Sequence, residues 1–212
     1  MIPRHIHQIW LGVCEIRGDH WEYMKQWKAM YPDFDYTLWT DRDVPEIVPA
    51  DKQKYFDNWQ YTLSMKADIL RYEILRKYGG IYIDVDFQPL KRMEEAMLDW
   101  KFFGGIQNNG QTANGIIGAE PDTDVMRDVC DKIVANIETK TTQGKARFVD
   151  QLTGPEYFTR ITEPYKQDPQ CVFYKPELFY PYWHTEMHRR TEDFRTTCPE
   201  AYAVHHWTKS WS

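Results

Sequence analysis

Two aspartates one residue apart, Asp84 and Asp86, follow the hydrophobic run Ile81-Tyr82-Ile83. Carboxylates set side by side after apolar residues are costly unless a cation or hydrogen-bond donors compensate them. A hard divalent ion is the simplest compensation; Mn2+ is favoured, Mg2+ is the alternative, and either leaves positions open for phosphate oxygens. A solvated turn after a strand is the competing reading, because an Asp-x-Asp match is short. Upstream, Asp68 and Arg71 stand one helical turn apart and can pair. They border an apolar face and are expected to point toward a sheet, with a weak surface ion pair as the alternative. In the tail, His205 and His206 are adjacent, so strand alternation sends them to opposite faces and at most one can join the carboxylates.

The elements that must position these groups follow from periodicity and turn chemistry. Ser64 is a plausible N-cap. Ala67, Leu70, Ile74, Leu75 and Tyr78 recur at helical spacing and give one buried face, and Gly79 sits where a left-handed cap would stop the helix. Residues 81–83 read as an interior strand; continued alternation puts Asp84 and Asp86 on one face and Val85 on the other, before Pro89 ends ladder pairing. Residues 2–11 read as a first strand with Trp10 near its tip. A helix over 19–31 ends before Pro32. A second strand over 36–39 leads into a turn where Asp41 and Asp43 act as turn formers. Residues 46–60 read as loop and short helix. A short helix over 94–98 and strands over 101–107 and 114–118 follow, with a turn at 108–110. A helix over 121–137 has Pro121 near its first turn and Val125, Val129, Ile133 and Ile137 as its buried stripe. Residues 139–145 read as a polar loop and 172–174 as a strand. The aromatic run at 179–184 suits packing or an acceptor platform, packing being favoured. Residues 202–211 read as a strand running into a turn.

The 212 residues suffice for one large domain, and no repeat or linker divides them, so one domain over 1–212 is expected. A net charge of −6, from 26 basic and 32 acidic residues, argues against nucleic acid as a partner. Nine tryptophans and 14 tyrosines suit stacking on sugars or bases, although aromatics also build cores. Cys14, Cys130, Cys171 and Cys198 are scattered, which argues against a zinc site and does not suggest a disulfide framework. No apolar run approaches a membrane span and no signal-peptide core is visible, so a cytoplasmic location is expected.

The phrase joining these residues resembles the sugar-nucleotide-binding segment of the DXD glycosyltransferases. Within them it is similar to the family of yeast initiating α-1,6-mannosyltransferases and bacterial capsular polysaccharide transferases, and more distantly to clostridial glucosylating toxins. Asp68, Arg71, Tyr72, Gly79, Gly80, Tyr82, Asp84 and Asp86 carry the resemblance in order and spacing. The opening strand resembles the family's through Ile2, Pro3, Ile6, His7, Ile9, Trp10 and Gly12. Thr153-Gly154-Pro155 resembles its Thr-Gly-Pro turn, and the tail resembles its His-x-Trp followed by Ser-Trp.

The resemblance implies a GT-A type Rossmann-like α/β fold with a mostly parallel central sheet flanked by helices. It implies a metal-dependent glycosyltransferase moving a hexose from a nucleoside diphosphate sugar, UDP-sugar favoured, to a glycan or other hydroxyl acceptor with retention. Asp84 and Asp86 would hold the metal, with His205 as third ligand and His206 as alternative. Asp68 and Arg71 would grip sugar hydroxyls, Arg71 also lying near phosphate, and Tyr82 would belong to the donor site. Trp10 would be the base platform, or else a buried strand-end tryptophan; His7 is read as a structural partner. Asn114 would contact the donor sugar just before its strand, or serve as a turn asparagine. Asp150 and Gln151 would contact the acceptor or the donor sugar, and Lys209, Ser210 and Trp211 would close over the diphosphate. Two other functions remain open at this point: a metal-dependent phosphohydrolase, which also places Asp-x-Asp after a strand, and a non-catalytic sugar-nucleotide-binding module.

Overall fold

A computed structural model describes residues 1–142 and 148–208. In chain order its elements are β1 (His5–Ile9), α1 (Gly18–Met30), β2 (Asp35–Trp39), α2 (Val44–Ile47), α3 (Ala50–Asp57), α4 (Leu63–Tyr78), β3 (Gly80–Ile83), β4 (Phe87–Pro89), β5 (Phe102–Ile106), β6 (Thr112–Ala119), α5 (Asp124–Thr142), α6 (Val149–Leu152), α7 (Pro155–Thr162), β7 (Cys171–Tyr174) and β8 (Ala203–His205). Six strands form the main sheet in the order β2-β1-β3-β6-β5-β7. All run one way except β6, which is antiparallel to both its neighbours. The expected α/β class and mostly parallel sheet are present. No helix among the described residues is long and apolar enough to cross a membrane.

The central connection is local in origin. Helix α4 ends at Gly79, whose φ of +64° suits glycine and whose N–H donates to the Leu75 carbonyl. Gly80 also has positive φ, and a Cβ there would lie 2.6 Å from the His5 carbonyl oxygen. The pair therefore lets the chain turn from helix into β3 flush against β1. The helix is capped by Thr62, whose hydroxyl accepts from the Met65 N–H, and not by Ser64, which lies one residue inside. Its burial also exceeds the single face expected. Every residue from Ala67 to Leu75 is buried, because the sheet covers one side while α2 and α5 pack on others.

Several boundaries differ from the periodic reading. The first strand is β1 alone, since residues 2–4 precede the ladder and Ile2 instead bonds Leu98. Helix α5 begins at Asp124, beyond Pro121, which packs on Gly79. It runs to Thr142, so residues 139–142 are helix and not loop; its predicted stripe of Val125, Val129, Ile133 and Ile137 is buried. Pro89 does not end pairing either. β4 pairs antiparallel with β8 in a second, two-stranded sheet, Phe87 opposite His205 and Pro89 opposite Ala203. That small sheet carries the far end of the chain to the end of β3.

Candidate active site

Asp84, Val85 and Asp86 lie between β3 and β4, in a turn closed by the Phe87 N–H on the Asp84 carbonyl at 3.1 Å. Strand alternation is thus not what brings the two carboxylates together; the turn does. Asp84 is held through one oxygen and Asp86 through both. Asp84 Oδ1 accepts from the Tyr82 hydroxyl at 2.6 Å and pairs with Arg71 at 3.2 Å, while Oδ2 lies over Gly115. A Cβ on Gly115 would fall 2.8 Å from that Oδ2, so glycine makes the room the carboxylate occupies. Asp86 Oδ2 accepts from the backbone N–H and hydroxyl of Thr208, at 2.9 and 3.1 Å. Its Oδ1 stands 3.0 Å from His205 Nε2.

The two acids differ in their protonation balance. Burial pushes the Asp84 carboxyl up, and the neighbouring Asp86 adds to this, against the pull of Arg71. Burial also raises Asp86, but His205 and the Thr208 donors outweigh it and hold that carboxyl well below the usual range.

Behind them lies a buried polar layer centred on α4. The Arg71 guanidinium pairs with Asp68 and Asp84, each at 3.2 Å, donates to the Asn114 carbonyl at 2.5 Å and sits 4.5 Å over the Tyr82 ring. Asp68 accepts from the Asn114 amide and the Thr153 hydroxyl, both at 2.8 Å. Burial raises its carboxyl to about 6 although Arg71 and these donors pull it down, so it is ionised at neutral pH. Tyr72 completes the layer, donating to the Thr153 carbonyl and receiving the Asn114 amide. The expected inward-facing Asp68–Arg71 pair is therefore real and buried. Asn114 lies inside β6, not before it, because that strand begins at Thr112.

The remaining predicted residues separate by place. His205 reaches the carboxylates; His206 does not. It is buried on the other face of the tail, between Gln88 at 2.9 Å and the Tyr182 hydroxyl at 3.2 Å. Trp10 stands past the end of β1, 8 % exposed, packed with Met24 and Val85, its indole N–H on the Cys14 carbonyl. His7 is structural, as expected: Trp39 donates to its Nδ1, so Nε2 carries the proton and donates to the Gly79 carbonyl. Asp150 and Gln151 lie on α6, Asp150 exposed. Lys209, Ser210 and Trp211 fall outside the described residues.

Thr153, Thr208 and Gly115 belong to the site and were not singled out for it. The Thr-Gly-Pro turn was visible in the sequence, but its threonine, rather than Asp150 or Gln151, reaches the α4 layer. His20 is a further member: it is fully buried, and its Nε2 lies 2.9 Å from the Thr208 hydroxyl.

The donor set suits a divalent cation. Asp84, Asp86 and His205 each offer a ligand atom, and these atoms all lie within 4.8 Å of one another. Three carboxylates share one guanidinium: Asp68 and Asp84 pair with Arg71, while Asp86 stands beyond them beside His205. With histidine counted neutral, that leaves a surplus of two negative charges, the amount one Mn2+ or Mg2+ offsets. The Nδ1 of His205 is buried with no hydrogen-bond partner among the described residues.

Comparison with known proteins agrees with this arrangement. Residues 18–103 match the glycosyltransferase sugar-binding region containing DXD motif. Inositol phosphoceramide mannosyltransferase 3 of Schizosaccharomyces pombe is 39% identical over 40% of this chain and 24% of its own length. Mannosyl phosphorylinositol ceramide synthase of Saccharomyces cerevisiae is 32% identical over 57% of this chain and 32% of its own. The chain thus spans a third or less of these two relatives. An uncharacterized glycosyltransferase of Acanthamoeba polyphaga mimivirus is 27% identical over 100% of this chain and 84% of its own length. Among solved structures, PaToxG glycosyltransferase gives a TM-score of 0.59 at 19% identity, covering 79% of this chain and 70% of that one. The UDP-bound glycosyltransferase domain from the YGT toxin gives 0.58 at 10%, covering 82% and 79%. Residues 18–103, which include Asp84 and Asp86, are thus similar to a DXD-containing glycosyltransferase sugar-binding region, and the fold is of the GT-A type, like that of the toxin glycosyltransferase domains.

Proposed function

We propose that this chain transfers a hexose from a nucleoside diphosphate sugar to a hydroxyl of a glycan or other acceptor, metal-dependently and with retention of anomeric configuration. The observation that carries the reading is the convergence of Asp84, Asp86 and His205 at the end of β3, where charge is in negative surplus. The matched DXD region and relatives named as mannosyltransferases support transfer, and the UDP-bound toxin domain of the same fold favours a uridine donor.

A divalent cation held by Asp84, Asp86 and His205 supplies positive charge for a diphosphate leaving group. Tyr82, Arg71 and Thr208 fix one oxygen of each carboxylate and so preset the ligand positions. Arg71 serves first as a strut, its donors being taken by Asp68, Asp84 and the Asn114 carbonyl. Asp68 and Asn114 orient the donor sugar's hydroxyls, and the fully buried Thr153 holds Asp68 in place. Trp10, at the carboxyl end of β1, is the base platform. Each of the three site carboxylates is tied to holding partners, so none is placed as a covalent nucleophile. This favours attack from the leaving-group face, with the departing phosphate taking the acceptor's proton. The cytoplasm is the compartment we assign.

Calorimetry with UDP-glucose, UDP-galactose, UDP-N-acetylglucosamine and GDP-mannose, with and without Mn2+, tests this on the wild type and Asp86→Ala. One donor is expected to bind only with metal and to be lost in the variant. Absence of binding by every donor with Mn2+ present refutes the reading. An inverted anomeric centre in the product, seen by NMR, refutes retention.

A further inference from the structure

The aromatic run at 179–184 divides in two. Phe179, Tyr180 and Tyr182 are fully buried and serve as packing, as favoured above. Trp183 is half-buried and His184 exposed. Trp183 is not simply surplus surface. Its ring meets Trp207 at 5.1 Å and 73°, and His184 lies against both, at 4.4 and 5.9 Å. Trp207 in turn lies 4.2 Å from the His205 ring, so the cluster runs from the metal ligand outward.

The cluster is held in place. The Trp183 N–H donates to Glu186 Oε2 at 2.9 Å, and the Trp207 indole donates to the Tyr182 carbonyl at 3.2 Å. Trp207 has a φ of +53°, a conformation that a bulky residue adopts at a cost and that only Asp122 shares among the described non-glycine residues. Strain of this kind, beside a catalytic group, persists where the position of a side chain matters.

We infer that Trp183, Trp207 and His184 form the acceptor subsite, and that it takes a pyranose ring of a glycan, stacked on Trp183. This rests on the transferase reading above. Two indoles near a right angle offer one face and one edge to the apolar side of a sugar ring, and the exposed imidazole of His184 meets its hydroxyls. Contact of Trp207 with His205 puts that ring beside the group that anchors the donor diphosphate.

The test uses the full chain with Mn2+, the donor found by calorimetry, and methyl glycosides of mannose, glucose and galactose as acceptors. Trp183→Ala is expected to raise the acceptor KM about tenfold while the donor Kd stays within about twofold, and Trp183→Phe is expected to restore much of the loss. An acceptor KM unchanged in Trp183→Ala overturns the inference. So does donor cleavage in the wild type that no glycoside diverts from water; in that case the donor reading stands and the glycan subsite falls. Loss of donor binding in the wild type instead removes the transferase reading, and this subsite with it.

Discussion

Helix α4 carries two buried ionic clusters, and they differ in balance. On one side Glu73 meets Lys52 at 2.5 Å, with side chains 6 % and 4 % exposed. One acid faces one base, and the pair is closed. On the other side Asp68 and Arg71 join Asp84, and beyond it Asp86 and His205, where acids outnumber bases. Burial alone does not separate the clusters, since Asp68, Arg71 and Asp86 are buried about as deeply as Lys52 and Glu73. The surplus of negative charge does. A balanced pair satisfies itself, whereas a surplus is tolerable only with a cation arriving from outside.

The largest effect expected from this contrast is on stability at the balanced pair. Lys52→Ala leaves Glu73 buried without its partner and should cost about 3–5 kcal/mol. The double change Lys52→Met with Glu73→Leu should recover most of that, because apolar residues of similar volume replace a closed pair at little cost. Urea unfolding of the two variants measures both, and equal losses would break the picture of a self-contained pair. At the surplus cluster the expectation is reversed. Asp86→Asn takes one carboxylate from a cluster where acids outnumber bases but also weakens its contacts with His205 and Thr208, so unfolding free energy without metal should fall by only about 1–2 kcal/mol. Sugar transfer should fall by about 10²–10³-fold. A melting loss as large as that of Lys52→Ala would place Asp86 among structural residues.

How much of this difference was legible beforehand depends on distance along the chain. The helix, the glycine pair and β3 are local, and the sequence 67–83 specifies them through period, cap and apolar run. The Asp-x-Asp pair was found, but for a geometric reason that does not hold, because a turn rather than a strand presents it. Thr62, and not the expected Ser64, caps the helix, because hydroxyls two residues apart are equally plausible caps until the first helical N–H is placed. Strands β4 and β8 are three residues each, too short to leave a period. Thr153, Thr208 and Gly115 come from distant segments, and no local pattern marks them. Gly115 sharpens the comparison next. Gly115→Ala should press on Asp84 Oδ2 and weaken Mn2+ binding by about 10–100-fold, as loss of an outer-shell support does. Calorimetry with Mn2+ measures it, and an unchanged affinity would show that Oδ2 plays no part in the metal site.

A third buried group, His7, is polar but neutral, and it separates acid sensitivity from the two ionic clusters. Burial, helped by neighbouring His5 and opposed by the Gly79 carbonyl, lowers its pKa from 6.5 to about 3. The unfolded chain therefore takes up a proton that the folded one refuses. Stability is intact above about pH 6.5 and is lost as pH falls toward 3, at up to about 1.4 kcal/mol per pH unit. Asp68 acts with the opposite sign, since its carboxyl is raised to about 6. The penalty of its buried charge is present above that pH and is relieved as pH falls toward 3.8. His7→Gln keeps a donor for the Gly79 carbonyl and removes the titration. Between pH 6.5 and 4 its stability should decline less steeply than the wild type's, and below pH 6 relief at Asp68 should show through more clearly. Parallel urea titrations at each pH settle this, and identical slopes in the two proteins would mean that His7 is not the source of acid lability.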